Sequence, residues 1–79
     1  MTPAEFLDRY DRLAPRMGRA EFREMFAAGR ELVAASDGEL ADSFGVSHPT
    51  IARWASGDTA PGSIARWHYL RKLSRLIVA

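Results

Sequence analysis

The stretch from Ser36 to Gly57, SDGELADSFGVSHPTIARWASG, constrains this chain more than any other. It reads as two short helices joined by a tight turn. Ser36 followed three residues later by Glu39 makes a capping box, in which each residue satisfies a free backbone N–H of the other. Leu40, Ala41 and Phe44 give the first helix one apolar edge. Gly45 can leave that helix with positive φ at no Cβ penalty, and Val46 fills the corner. Ser47 then stands at the next N-cap, with Pro49 in the first turn, where a missing N–H costs nothing. Ile51 and Trp54 are the inward positions of the second helix, and Gly57 follows its end. This order of cap, glycine, aliphatic, cap and second helix is that of a helix-turn-helix. The outward residues of the second helix are His48, Pro49, Thr50 and Arg53. A short, polar face with an arginine suits a DNA major groove.

The rest of the chain reads as helices around this unit. Thr2-Pro3-Ala4-Glu5 is a second capping box with Pro3 at the first helical position. Phe6, Leu7, Tyr10 and Leu13 follow at helical spacing, so a first helix is expected to run to about Ala14, where Pro15 stops it. Its apolar edge either packs on the bundle or serves a dimer or partner contact. Pro15 to Gly18 is a connector. Phe22, Met25, Phe26, Gly29, Leu32 and Val33 recur at threes and fours, predicting a helix over roughly 19–35. Gly29 costs about 1 kcal/mol against alanine inside a helix, which points to a neighbouring helix passing close by. The two helices of the motif are expected at about 38–44 and 48–55. Ser56 to Gly62, SGDTAPG, is turn chemistry. Ser63 is placed to cap a last helix of roughly 64–77, with Ile64, Trp67, Leu70, Leu73 and Ile77 as its apolar stripe and Arg66, Arg71, Lys72 and Arg75 off it. Leu76, Ile77 and Val78 leave an apolar C-terminus, which either closes the core or meets a second copy.

Charge separates the two halves. Residues 1–45 carry nine acids and six arginines, net −3, whereas residues 46–79 carry one acid and five bases, net +4. The basic half begins at the second helix of the motif, as a face turned toward phosphates would require. At 79 residues the chain is one domain with a small core. It has no cysteine, hence no disulfide or thiolate site. His48 and His68 are its only histidines, so no metal and no cofactor is expected. Carboxylates are scattered over helix surfaces and no glycine-rich phosphate loop occurs, so an enzyme is not expected. MTPAEFLDRY has neither a basic n-region nor a long apolar run, and no stretch approaches a membrane span; the expectation is a cytoplasmic protein with no membrane contact.

ELADSFGVSHPTIARWASG resembles the helix-turn-helix of the XRE (Cro/repressor-like) family of bacterial and phage DNA-binding transcriptional regulators. The matching residues are Leu40-Ala41, Gly45-Val46-Ser47, Ile51, Trp54, Gly57 and Pro61, within a likeness covering residues 20–76. The resemblance implies an all-α, compact, lambda-repressor-like bundle of about five helices, dimeric on operator DNA. It also implies that Ser47, His48, Pro49, Thr50 and Arg53 face DNA. In the family arrangement the loop after the second helix lies beside the DNA backbone. On the residues themselves, N–H groups near Gly57 and the Thr59 hydroxyl are placed to meet phosphate there, against the opposing charge of Asp58, and Arg66, in the first turn of the last helix, is placed to touch the backbone. Asp37 departs from the family, which often has a phosphate-touching glutamine there; an aspartate repels phosphate. Arg53 is the base-reading candidate, its alternatives being a phosphate contact or a salt bridge to the acidic half. Trp54 and Trp67 are read as core.

The function expected on this basis is a sequence-specific double-stranded DNA-binding transcriptional regulator of phage or mobile-element type. It would act as a homodimeric repressor on an inverted-repeat operator. The alternative is a protein-interaction module of the same fold, an antitoxin or antiactivator, with the acidic half and first helix as the partner surface.

Overall fold

A computed structural model describes residues 1–13 and 16–78. Among them are five helices and no strand: α1 (Pro3–Leu13), α2 (Arg19–Leu32), α3 (Asp37–Phe44), α4 (His48–Ser56) and α5 (Ser63–Val78). Two of these helices, α1 and α3, open on reciprocal side-chain caps. The Glu5 N–H donates to Thr2 Oγ1 (3.1 Å) and the Thr2 N–H to Glu5 Oε1 (2.9 Å). The same reciprocal pair opens α3, between Ser36 and Glu39. The expected end of the first helix at Ala14 and its stop at Pro15 fall outside the described residues.

α2 is the hub. It packs against α1, α4 and α5, while α3 packs on α4 and α1 on α5. Phe22, Met25, Phe26 and Gly29 of α2 are fully or almost fully buried. Gly29 does what its cost suggested. A methyl in place of its hydrogen would lie 2.9 Å from Phe6 Cε2 and 3.0 Å from Leu73 Cδ1, so α1 and α5 close over α2 at this point. Phe6 is itself wholly buried, so α1 is part of the core. Rings knit the other side together. Trp54 of α4 meets Phe22 and Phe26 edge-on (centroids 5.9 and 5.6 Å) and Tyr69 of α5 at 4.8 Å. Phe44 of α3 meets Phe26 and Tyr69. Such pairs contribute about 0.5–1.5 kcal/mol each beyond burial. The Cα radius of gyration, 11.2 Å, is that of a close-packed chain of this length, for which about 11.6 Å is expected.

Four expectations are corrected. α2 ends at Leu32, not Ala35, because Val33 turns extended after donating to the Gly29 carbonyl. Ser63 does not cap α5: the Arg66 N–H bonds to the Gly62 carbonyl, which places Ser63 inside the first turn. The α5 stripe is rotated. Ile64 is 86% exposed and Trp67 only half-buried, while Tyr69, Leu70, Leu73 and Ile77 face the core. Three successive steps of three residues turn a stripe through about 180°, so Ile64 and Leu73 cannot share a face. Met17, assigned only to a connector, is buried. At the C-terminus Ile77 packs on the core and Leu76 is 39% exposed; the Val78 side chain is outside the description. No helix among the described residues is long and apolar enough to cross a membrane.

Candidate functional site

The α3–α4 corner is shaped by local chemistry. Gly45 adopts φ +71°, and the N–H groups of Gly45 and Val46 both return to the Ala41 carbonyl. Nothing would obstruct a side chain at Gly45, so the left-handed conformation alone accounts for glycine there. Ser47 occupies the N-cap of α4 with extended backbone (φ −74°, ψ 153°), yet its hydroxyl caps no amide. The N2 residue is Pro49, which has no N–H, and the Thr50 N–H bonds to the Ser47 carbonyl (3.1 Å). The Ser47 hydroxyl is therefore left to the Thr50 hydroxyl, 2.6 Å away. This corrects the expectation of a side-chain cap.

Ile51 and Trp54 anchor α4 in the core. The helix face opposite them presents Pro49, Ala52, Arg53 and Ser56 to solvent. His48 is exposed at the first turn but leans on α3: its Cε1 and Nδ1 stand 3.9 Å from where a side chain at Gly38 would begin. The Arg53 guanidinium has no ion-pair partner among the described residues. Its carbonyl closes the end of the helix, accepting from the N–H groups of Gly57 (3.0 Å) and Asp58 (3.1 Å) and from the Ser56 hydroxyl (3.1 Å). The amides near Gly57 are thus engaged within the protein, which leaves the exposed Thr59 hydroxyl as the phosphate-binding candidate of that loop.

Arg66 is turned inward. Its Nε donates to the Pro61 carbonyl (2.9 Å) and its Nη1 to the Met17 carbonyl (3.2 Å), tying two loops together. It does not join the α4 face. Arg23, which sequence reasoning passed over, does. Gly57 has φ +88°, and a methyl there would lie 2.6 Å from Arg23 Cδ, so Arg23 of α2 lies across the end of α4. No local pattern links residues this far apart. Ala52 and Ser56 were also missed, although the helical period of Ile51 and Trp54 is enough to place them outward.

Asp37, the residue expected to repel phosphate, is neutralised by a bidentate Arg30: Nε to Oδ1 2.7 Å and Nη2 to Oδ2 2.5 Å. The pair lies in a shallow hollow shared with Glu31 and with Ala52, Ala55 and Ser56 of α4. The basic second half does not form one face. Lys72 Nζ reaches the Ser43 carbonyl at the end of α3 and lies over the Phe44 ring. Arg71 lies over Trp67, and Arg71 and Arg75 both stand near Tyr10 of α1. Arg23 and Arg53 are therefore the unpaired cations that the described residues bring to α4. The Glu39 carboxyl is held below its ordinary range by the N–H and hydroxyl of Ser36. No protein-family model, curated protein or solved structure matches the chain.

Proposed function

We propose that α3 and α4 form a helix-turn-helix and that the chain is a sequence-specific double-stranded DNA-binding regulator. α4 is the recognition helix. Two copies bind an inverted repeat, their α4 helices in major grooves about 34 Å apart, and repress by occluding a promoter. The observation that carries this reading is the state of α4. It is clamped to the core by Ile51 and Trp54, it projects Pro49, Ala52, Arg53 and Ser56 outward, and it leaves the Arg53 guanidinium unpaired. Arg53 reads a guanine through O6 and N7. His48, Ser47 and Thr50 border the groove, and Arg23 and Thr59 approach phosphates at the other end of the helix.

The test is a gel shift of the protein on its own upstream DNA, at about 150 mM salt, against scrambled competitor, because backbone binding alone falls steeply with salt. A specific shift is expected, weakened about 5- to 150-fold per half-site in Arg53→Ala, the equivalent of one bidentate base contact. Removal of all binding by scrambled competitor would contradict the proposal.

A second reading, the protein-interaction module, is favoured by one observation. Glu31 and Asp58 border α4 without cationic partners among the described residues, while Ile64 stands exposed beside the half-buried Trp67 on α5. In that case a partner complex would survive Arg53→Ala.

A further inference from the structure

The hydroxyl groups at α4 are engaged inside the protein. The Ser47 and Thr50 hydroxyls hold each other at 2.6 Å. The Ser56 hydroxyl donates to the Arg53 carbonyl (3.1 Å) and receives the Asp58 N–H (3.4 Å). The exposed His48 ring stands at the N-terminal end of the helix, beside Gly38 of α3. What remains at the centre of the outward face is the pyrrolidine ring of Pro49, the methyl of Ala52 and the guanidinium of Arg53.

Such a face has a definite preference among base edges. Pressing a cytosine amino group or a guanine carbonyl against Pro49 or Ala52 would strip its water and return no hydrogen bond. The thymine 5-methyl is the one apolar group that the four bases display in the major groove. We infer that α4 reads thymine methyl groups through Pro49 and Ala52, next to a guanine read by Arg53. This rests on the DNA-binding reading above and adds the class of site. From Pro49 to Arg53 the helix rises about 6 Å, close to two base-pair steps, so thymine and guanine fall within about two base pairs of each other.

The test changes the DNA rather than the protein, so folding is not at issue. Duplexes are enriched from a randomised library by the full chain at about 150 mM salt. The enriched duplex is then rebuilt with deoxyuridine for each thymine in turn, which removes the 5-methyl and leaves every hydrogen-bonding atom. Affinity is expected to fall about fourfold per contacted methyl, the transfer value of one buried carbon. In Ala52→Ser the loss at one of those positions shrinks, which a general weakening of the protein would not produce. An enriched consensus without thymine within about two base pairs of guanine overturns the inference, as does a deoxyuridine duplex that binds equally well. Both results would leave DNA binding itself intact. Failure to enrich any consensus overturns the DNA-binding reading and this inference with it.

Discussion

Replacing Gly29 with alanine sets helix propensity against packing, and the structure decides which prevails. Propensity alone favours alanine by about 0.8–1.0 kcal/mol in a helix interior. The added methyl would stand 2.9 Å from Phe6 Cε2, 3.1 Å from Phe6 Cζ and 3.0 Å from Leu73 Cδ1. Carbon atoms in comfortable contact sit about 3.5–4.0 Å apart. Phe6 and Leu73 are both wholly buried, on two different helices, so neither can swing into solvent. Overpacking of this kind costs about 1–3 kcal/mol. The expected balance is a net loss of about 1 kcal/mol. In urea, with a slope near 1 kcal/mol/M for a small chain, the midpoint falls by about 1 M. The melting temperature drops by about 4–8 °C. Phe6→Leu shortens the ring that meets the methyl, so Gly29→Ala should cost less in that background, with a coupling of at least about 0.5 kcal/mol. If Gly29→Ala were more stable than the parent, the claim that α1 and α5 close over α2 at this residue would be refuted.

Two further predictions concern the caps and the bidentate Arg30–Asp37 pair. Glu5 and Glu39 are held below their ordinary value of 4.5 by the N–H and hydroxyl groups of Thr2 and Ser36. The unfolded chain therefore takes up these protons first as pH falls. Their contribution is complete above about pH 4.5 and is lost as pH drops through the lower folded values. Melting curves between about pH 6 and pH 3 check this: Glu39→Gln keeps the capping geometry without titrating, so its decline with acid should be shallower than the parent's. Equal declines would contradict the assignment. For Arg30 and Asp37, whose side chains are partly exposed, a double-mutant cycle to alanine should return a coupling of about 0.5–1 kcal/mol. A coupling of zero would mean that the bidentate pair is not held in solution.

The features legible in the sequence are those whose physics is local. Both capping boxes, the left-handed glycine at 45, the end of α4 at Gly57, and the inward pair Ile51 and Trp54 all follow from neighbours a few residues apart. Gly29 announced a close approach because an interior glycine has a definite cost, although which side chains approach could not be read. The α5 stripe failed because a run of apolar residues at steps of three drifts around the helix, so only its later part meets the core. Tyr69 escaped that stripe although its ring joins α3, α4 and α5. At the candidate site the exposure of His48, Pro49 and Arg53 was legible and that of Ala52 and Ser56 was passed over; which of their groups remain free could not be read. The inward turn of Arg66, the arrival of Arg23 at Gly57 and the neutralisation of Asp37 all depend on contacts between separate elements. For the same reason the charge skew of the second half did not become a single basic face.

The central claim is that the outward face of α4 is the surface that meets DNA. An NMR titration of the ¹⁵N-labelled chain with its upstream duplex tests it most directly, with scrambled duplex as the control. The largest amide shifts are expected at His48, Thr50, Ala52, Arg53 and Ser56, with Arg23 following and α1 unmoved. Shifts concentrated around Ile64, Trp67 and Arg71 while α4 stays silent would contradict it.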